Sequence, residues 1–400
     1  MSILLVCIFA IALWLTVTAS GRAVLKGTFI YCIIMFPTRR FHLPAFISPP
    51  IRRREPMLKM PGRTLKPDVY RIGTSVKQRQ RPAVVIYAPL APEGKRNVYV
   101  VNFLRGMARI GFVVLIPDWP ERPLGLMDDA DVEELERSVA YLEAQPDVDP
   151  NRIGIIAISY GAGPALIAAS HRRLGKRLQY VMTIGGYTDM WSVLQFAGSG
   201  KVRIEANESL QVEPHPFMRY VLLRTVSRWS AEKRDRVLVD AFLKKITDND
   251  APIDVNLAAP IDVSQLQSKL SSQAQAMLIA LERAAAGATK EELRATLPES
   301  FRKKMDKLSL TSAMIRDIHS RVLIVHTIND RLVPYSEAKV LYSHLDKDQR
   351  PILSKLAGFD HTIPPAATPA NFFFIYAPNA LKVIPLLYAF FRMQESDSSL

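Results

Sequence analysis

The sequence predicts an α/β protein whose sheet is mostly parallel and carries helices on both faces. Short apolar runs such as AVVIYA (83–88) and FVVLI (112–116) alternate with segments of helical spacing such as YVVNFLRGMARIG (99–111). Strands that are apolar at nearly every position are buried on both faces, which is typical of parallel strands joined by helical crossovers. A composition of 48% hydrophobic and 22% charged residues fits a globular chain with a large core.

This alternation assigns residues 66–197 and 312–400 to one core. The segment DADVEELERSVAYLEAQ (129–145) has the apolar spacing of an amphipathic helix and acidic residues in its first turns. The other segments that support the core are predicted strands at 179–184, 321–327 and 350–358 and a predicted helix at 336–346.

Residues 198–311 interrupt the core and read as a helical insertion. Thr289 and Glu292 have the spacing of a capping box at the start of one of its helices. The insertion is expected to cap the site and shape its specificity. Its residues Phe217, Trp229 and Met277 either favour an apolar substrate group or form the core of the insertion itself.

Residues 1–37 are expected to form an apolar membrane anchor or a signal segment. Ile3 to Ala19 contains no charge, and its 17 residues reach the lower limit of about 17–25 for a membrane-spanning helix. No Lys or Arg precedes the run and positive charge follows it, so an uncleaved anchor with the rest of the chain in the cytoplasm is favoured over a cleaved signal peptide. Export after cleavage near Ala19 is the alternative.

Residues 38–65 are expected to form a basic, proline-rich linker. Much of the net charge of +14 lies between Arg39 and Arg81, a stretch that contains twelve Lys and Arg residues and two acidic residues, Glu55 and Asp68. Basic residues next to an apolar segment are attracted to anionic lipid by about 1 kcal/mol each. The alternative is a solvated linker. Because the charge is confined to this region, no nucleic-acid partner is expected.

The segment RIGIIAISYGAGPALIAAS (152–170) places Ser159 between a predicted buried strand and a helix. A serine at such a tight turn is pushed out at the edge of the sheet, and it needs small neighbours such as Ala157 and Gly161. The N–H groups at the start of the following helix favour developing negative charge there. An ordinary strand-to-helix turn with a capping serine is the simpler interpretation.

A nucleophilic serine needs a base, and the base needs an orienting acid. His361 follows a strand in LAGFDHTIP, and Asp330 follows a strand in VLIVHTINDRLVP. Both loops leave the carboxyl edge of the predicted sheet, where functional groups gather in open α/β sheets. A turn-forming aspartate and a loop histidine are the structural alternatives. The rival acids are Asp360, Asp118 and Asp189, and the remaining histidines are interpreted as linker, core or surface residues.

With these three motifs in order, the chain resembles an α/β-hydrolase, and within that superfamily the dienelactone-hydrolase-like and prolyl-oligopeptidase-like esterases. The resemblance implies Ser159 as nucleophile, Asp330 as acid and His361 as base. It also implies an oxyanion hole formed by the backbone N–H groups of Tyr160 and Leu90.

Two departures from the superfamily pattern concern the elbow and the oxyanion loop. Ala157 stands where the first glycine of the elbow is usual. The loop IYAPLAPEG replaces the usual His-Gly, and Pro89 has no N–H to donate. The second oxyanion donor is therefore expected at Leu90 or Ala91.

The resemblance implies cleavage of carboxylic esters, either small molecules or lipids, through an acyl-enzyme and without a metal or organic cofactor. With only Cys7 and Cys32, and without a phosphate-loop motif, the sequence supports no disulfide framework, zinc site or nucleotide loop. A membrane-tethered binding scaffold with weak or no activity, and a serine peptidase, are the alternatives. The sequence leaves the oligomeric state open.

Overall fold

A computed structural model describes residues 13–36, 50–60, 62–73, 80–88, 94–118, 130–205, 208–246, 262–349 and 351–395. The strands are β1 (Ile51–Arg54), β2 (Leu58–Met60), β3 (Arg63–Leu65), β4 (Asp68–Ile72), β5 (Arg81–Tyr87), β6 (Val113–Ile116), β7 (Val148–Ile158), β8 (Tyr180–Ile184), β9 (Lys201–Glu205), β10 (Glu208–Gln211), β11 (Arg321–Thr327) and β12 (Ile352–Leu356).

The α-helices are α1 (Ala19–Met35), α2 (Val98–Arg109), α3 (Asp131–Glu143), α4 (Ala162–Ser170), α5 (Arg172–Gly175), α6 (Met190–Ser199), α7 (Pro216–Trp229), α8 (Lys233–Ile246), α9 (Ser264–Gln267), α10 (Ser272–Ala285), α11 (Lys290–Thr296), α12 (Glu299–Lys307), α13 (Ser312–Arg316), α14 (Ser336–His344), α15 (Pro369–Asn371) and α16 (Ala377–Gln394). Short 3₁₀ turns cover Gly94–Arg96, Ser159–Gly161 and Lys347–Gln349, and a π-helical turn, Phe372–Tyr376, leads into α16.

The main sheet contains eight strands in the order β1-β4-β6-β5-β7-β8-β11-β12. From β6 to β12, every neighbouring pair is parallel, whereas β4 is antiparallel to both β1 and β6. The carboxyl ends of the parallel strands therefore share one edge. The prediction of a mostly parallel sheet with helices on both faces is confirmed.

Alternate residues of each strand enter two separate cores, as the two-residue period of a strand requires. On one face, Ile86 and Ile156 pack with side chains of α1, α2 and α16. On the other face, Val85 and Ile155 pack with α3 and α4, and that core continues into the insertion. The insertion therefore shares a core with one face of the sheet.

The insertion begins with the antiparallel β9–β10 ribbon and continues mainly as helices. The capping box predicted at Thr289 and Glu292 is present at the start of α11. Trp229 and Met277 are buried in the core shared by the insertion and the sheet.

The predicted linker at 38–65 contains structure. Within its described part, β1 pairs with β4 at the edge of the main sheet, and β2 pairs with β3. Arg53 lies 3.3 Å from the buried carboxylate of Asp68, so part of the basic charge has a partner in the fold. Part of the predicted basic, proline-rich linker therefore belongs to the sheet, which local composition could not indicate because it does not reveal a tertiary partner strand.

The described part of the N-terminal segment does not support a membrane anchor at 1–37. Helix α1 packs against α2 and α16, and Ala23 and Ile30 are among its buried residues. Arg22 and Lys26 form ion pairs with Glu395 just after α16, at 2.7 and 2.5 Å. Most of the predicted span Ile3–Ala19 lies outside the described residues. Leu13, Trp14 and Val17, which are described, are about half exposed.

One helical stretch among the described residues, Pro369–Gln394, is long and apolar enough to cross a membrane. Its two ends differ in burial. Phe390 and Phe391 are fully packed in the core, whereas Phe373 and Phe374 are 68% and 81% exposed. One end of this stretch is therefore packed in the core and the other end is exposed.

Candidate active site

Ser159 follows β7 directly and begins the 3₁₀ turn that leads into α4. Its backbone φ is +56°, in the left-handed region that residues with a Cβ occupy at a cost. Ala157 and Gly161 are buried on either side of the turn, which leaves room for its close approach to neighbouring backbone. This strained strand–serine–helix geometry is that of a nucleophile elbow.

His361 lies in the loop after β12 and shares the left-handed conformation, with φ of +56°. The Nδ1 atom of His361 lies 2.6 Å from Oδ2 of Asp330, in the loop after β11. Thr327 donates a hydrogen bond to the His361 carbonyl at 3.0 Å. The structure thus joins the predicted base and the predicted acid, and it fixes the backbone that carries the imidazole.

The second carboxylate oxygen of Asp330, Oδ1, accepts the backbone N–H groups of Leu332 and Val333 at 2.8 and 2.9 Å. Burial by itself would raise the pKa of Asp330. The adjacent His361, its hydrogen bond, and to a lesser extent His326 outweigh burial and lower the pKa of Asp330 below its ordinary value. The carboxylate is therefore held ionised beside the imidazole.

The opposite ring nitrogen of His361, Nε2, is buried and has no hydrogen-bond partner within the described parts of the chain. Ser159 and His361 line the same cavity. A buried imidazole nitrogen without a partner is able to accept a proton from a hydroxyl brought next to it.

The rival acids have other partners. Asp118 lies 2.9 Å from the buried ammonium of Lys95. Asp189 caps α6 through the Trp191 N–H and lies 2.6 Å from Lys290. Asp360 is half exposed and approaches Arg331 at 3.9 Å. Of the four candidates, Asp330 is the one bonded to His361.

Two further histidines, His326 and His215, lie near the site and contact backbone groups through their rings. His326 is buried in β11, and its Nε2 atom lies 3.0 Å from the Val333 carbonyl. His215 accepts the Phe217 N–H at the start of α7. Burial lowers the pKa of both histidines, so both favour the neutral form.

Of the two predicted oxyanion residues, Tyr160 is described and Leu90 lies outside the described residues. The Tyr160 side chain donates a hydrogen bond to Asp131 at 3.1 Å and stacks on Tyr187. These contacts anchor the residue whose backbone N–H follows the serine. Sequence reasoning missed Asp131, which reads only as an acidic residue in the first turn of α3.

Gly185, just after β8, was also missed by sequence reasoning. It has φ of +60°, and a Cβ placed on it would lie 2.8 Å from Cε1 and 3.1 Å from Nδ1 of His361. The imidazole therefore packs directly on this glycine. The GGY sequence at 185–187 was the available signal, because paired glycines after a strand indicate a turn or a close approach.

If His361 acts as a base, we expect Gly185→Ala to lower turnover by about 100-fold, because displacing a catalytic group by even 1 Å has effects of that order. The fold should persist, since the left-handed alanine costs only about 1–2 kcal/mol. The matched control is Gly287→Ala, which has φ of +91° and no atom within 4 Å of the added Cβ. Equal activities for the two variants, each checked by thermal melting, would contradict the proposed packing role of Gly185.

The cavity that contains Ser159 and His361 has a volume of about 730 Å³. It extends from the carboxyl edge of the sheet along the face covered by α1, α2 and α16. Apart from the two site residues and a few polar groups near them, its lining is largely aliphatic and aromatic. Phe217 is the one described residue of the insertion that reaches it.

The sheet order, the left-handed serine turn and the Ser, Asp, His chain order give this chain the fold of the α/β-hydrolase superfamily. Among solved structures it is similar to the hypothetical protein PA2218 from Pseudomonas aeruginosa, with 17% identity, 88% of this chain and 96% of that chain covered, and a TM-score of 0.50. No family model and no curated protein matches the sequence.

Two other similar structures are a puromycin-hydrolyzing peptidase from Mycobacterium tuberculosis and the alpha/beta hydrolase GrgF from Penicillium sp. sh18. The first is 14% identical with a TM-score of 0.48, and the match covers 88% of this chain and 40% of that one. The second is 14% identical with a TM-score of 0.45, and the match covers 85% and 98%.

Proposed function

We propose that the protein is a serine hydrolase that cleaves lipophilic carboxylic esters through an acyl-enzyme. The observation that carries this proposal is the left-handed Ser159 turn, which faces the same apolar cavity as the bonded pair of His361 and Asp330. A hydrolase is what the fold supports, and the ester substrate follows from the apolar cavity.

In the proposed reaction, the Ser159 hydroxyl attacks the ester carbonyl carbon while Nε2 of His361 takes its proton. Asp330 holds the Nδ1–H tautomer and stabilises the imidazolium that forms. The tetrahedral intermediate then collapses, the carbon–oxygen bond to the alcohol breaks, and His361 returns the proton to the leaving alcohol. A water molecule repeats the sequence on the acyl-enzyme and releases the carboxylic acid.

The negative oxygen of the tetrahedral intermediate requires fixed N–H donors. The N–H of Tyr160 is one proposed donor, because it lies at the start of the turn and its residue is anchored by Asp131. A second N–H from the loop after β5, at Leu90, completes the proposed hole.

The test of this function is active-site labelling by a fluorophosphonate probe, together with hydrolysis of p-nitrophenyl esters. The same acyl groups should also be offered as p-nitroanilides. Labelling with fast ester and slow anilide cleavage is expected. Preferential anilide cleavage would favour a peptidase, and a folded protein without labelling or turnover would favour the binding scaffold.

We further propose that the protein associates with membranes through its N-terminal segment and basic linker, with help from the exposed part of the C-terminal helix. Leu13, Trp14 and Val17 are exposed before α1, and Phe373 and Phe374 are exposed before α16. Helices α1 and α16 pack against each other with Arg22 beside Glu395, so the two exposed groups lie at opposite ends of this helix pair. Aromatic side chains in such positions favour the membrane interface, and exposed arginines such as Arg52 favour anionic lipid.

The double variant Phe373→Ser/Phe374→Ser is expected to bind vesicles of phosphatidylcholine and phosphatidylglycerol at least tenfold more weakly. Burying one such side chain contributes about 1.5–3 kcal/mol. The matched control is Val237→Ser, which changes a 67% exposed apolar residue of α8 in the insertion. Co-sedimentation measures the binding, and equal binding by both variants would exclude the aromatic pair from the contact.

A further inference from the structure

We propose that helix α1 is the roof of an acyl-chain pocket and that this helix, rather than the insertion, sets the chain-length preference of the enzyme. This inference rests on the proposed ester hydrolysis, and it names the acyl group as a single long hydrocarbon chain.

The floor of the cavity is the α1-facing side of the sheet. Ile156 and Ile158 of β7 lie directly before Ser159, and Ile86, Met182 and Val325 extend the floor across the neighbouring strands. The floor is therefore an apolar surface that begins at the reacting hydroxyl.

Helix α1 closes the cavity from above through Ile30, Ile33 and Ile34. The interfaces of α1 with α2 and with α16 are both closely packed. A Cβ on Gly106 of α2 would lie 2.4 Å from Ile33, and a Cβ on Gly27 of α1 would lie 3.3 Å from Leu387 of α16. Since the helix contacts both neighbours closely, the remaining space lies between the helix and the sheet.

The enclosed end of the cavity offers hydrocarbon contacts and few polar partners. Met107, Phe390 and Phe391 line it and are at most 1% exposed. The Tyr31 hydroxyl lines the same space, but it already donates to the Tyr376 carbonyl at 2.5 Å. A long alkyl chain fits this lining, whereas a polar or charged group would lose its hydration without compensation.

The two ends of the cavity would hold different parts of the ester, the alcohol at one end and the acyl chain at the other. His361 must protonate the leaving alcohol, so the alcohol lies next to the imidazole and the loop that follows it. That loop is the open rim, since Ile363, Ala366 and Ala367 are exposed. The acyl chain then extends the other way, under α1.

A volume of about 730 Å³ lies within the range of about 300–1,000 Å³ for pockets that enclose drug-sized ligands. Each buried methylene contributes about 0.8 kcal/mol, which corresponds to about a fourfold gain in affinity. A chain-length series is therefore a sensitive probe of the pocket.

The experiment measures kcat/KM for p-nitrophenyl butanoate, octanoate and dodecanoate with the full chain and four variants, one of which, Phe217→Ala, tests the insertion. Ile34→Trp and Val100→Trp fill the cavity from α1 and α2. The control, Leu25→Trp, places the same ring at a residue of α1 that is 42% exposed and lies outside the cavity lining. In the wild type, kcat/KM for the dodecanoate should be more than ten times kcat/KM for the butanoate, and this ratio measures the chain-length preference. It should fall at least tenfold in both cavity-filling variants and stay unchanged in Leu25→Trp.

A ratio that stays unchanged in both filling variants, or one that responds only to Phe217→Ala in the insertion, would overturn the proposal. A second measurement separates this outcome from failure of the proposed hydrolysis. Binding of cis-parinaric acid to Ser159→Ala, with and without Ile34→Trp, reports on the pocket when no ester is turned over. Tight binding that Ile34→Trp weakens supports the pocket, and binding unaffected by Ile34→Trp contradicts it.

Discussion

Ser159→Ala is expected to abolish turnover of p-nitrophenyl esters and labelling by a fluorophosphonate. Loss of the nucleophile of a serine triad lowers kcat by a factor on the order of 10⁶. Alanine is also an L-residue, so the strained turn at φ of +56° is retained and the fold should be unaffected. Rates with purified protein, together with thermal melting, provide the measurement.

The matched control is Ser170→Ala, one helix further along the chain. That hydroxyl is buried and donates only to the Ile167 carbonyl of its own helix. Its loss should leave both labelling and turnover close to the wild-type values. A Ser159→Ala protein that is folded and still hydrolyses esters at the wild-type rate would refute the assigned nucleophile.

Asp330→Asn is expected to lower turnover by a factor of about 10⁴, the cost of the equivalent change in the trypsin-type triad. The asparagine retains an oxygen for the N–H groups of Leu332 and Val333, so the loop should keep its shape. Its amide NH₂, however, would face Nδ1 of His361 and favour the tautomer that carries the proton on Nε2. That tautomer cannot accept the serine proton.

Asp360→Asn provides the comparison, because it makes the same chemical change at the residue next to His361. Asp360 is half exposed and its nearest charged partner is Arg331 at 3.9 Å, so the expected effect on turnover is less than about threefold, as for surface charges in general. Reversal of this ranking would transfer the role of the acid to Asp360 and leave Ser159 and His361 as proposed.

The parallel sheet and the approximate positions of Ser159, Asp330 and His361 could be predicted because each depends on local pattern. An apolar run predicts a buried strand, and polar residues directly after such runs meet at one edge of a parallel sheet. The bond between His361 and Asp330 joins loops 31 residues apart, and it follows from the pairing of β11 with β12.

Other features depend on tertiary partners that the local sequence does not reveal. An apolar helix has the same local pattern whether it contacts lipid or the face of a sheet, and α1 therefore falls within the segment 1–37 that is predicted as an anchor or signal segment. Strand β1 is rich in arginine and was interpreted as linker, although β4 pairs with it. The cavity and the contact of Gly185 with His361 arise only when distant segments pack together.

The ion pairs of Arg22 and Lys26 with Glu395 have a consequence for the order of folding. They join the beginning of the described chain to its end, about 370 residues apart in sequence. During synthesis, α1 emerges long before α16, one of the two helices that it packs against. The side of α1 that faces α16 therefore has no native partner until residues Ala377–Gln394 have been made. Contacts of such long sequence separation form slowly. Because residues of both helices line the cavity, its enclosed end cannot form before α16 has docked.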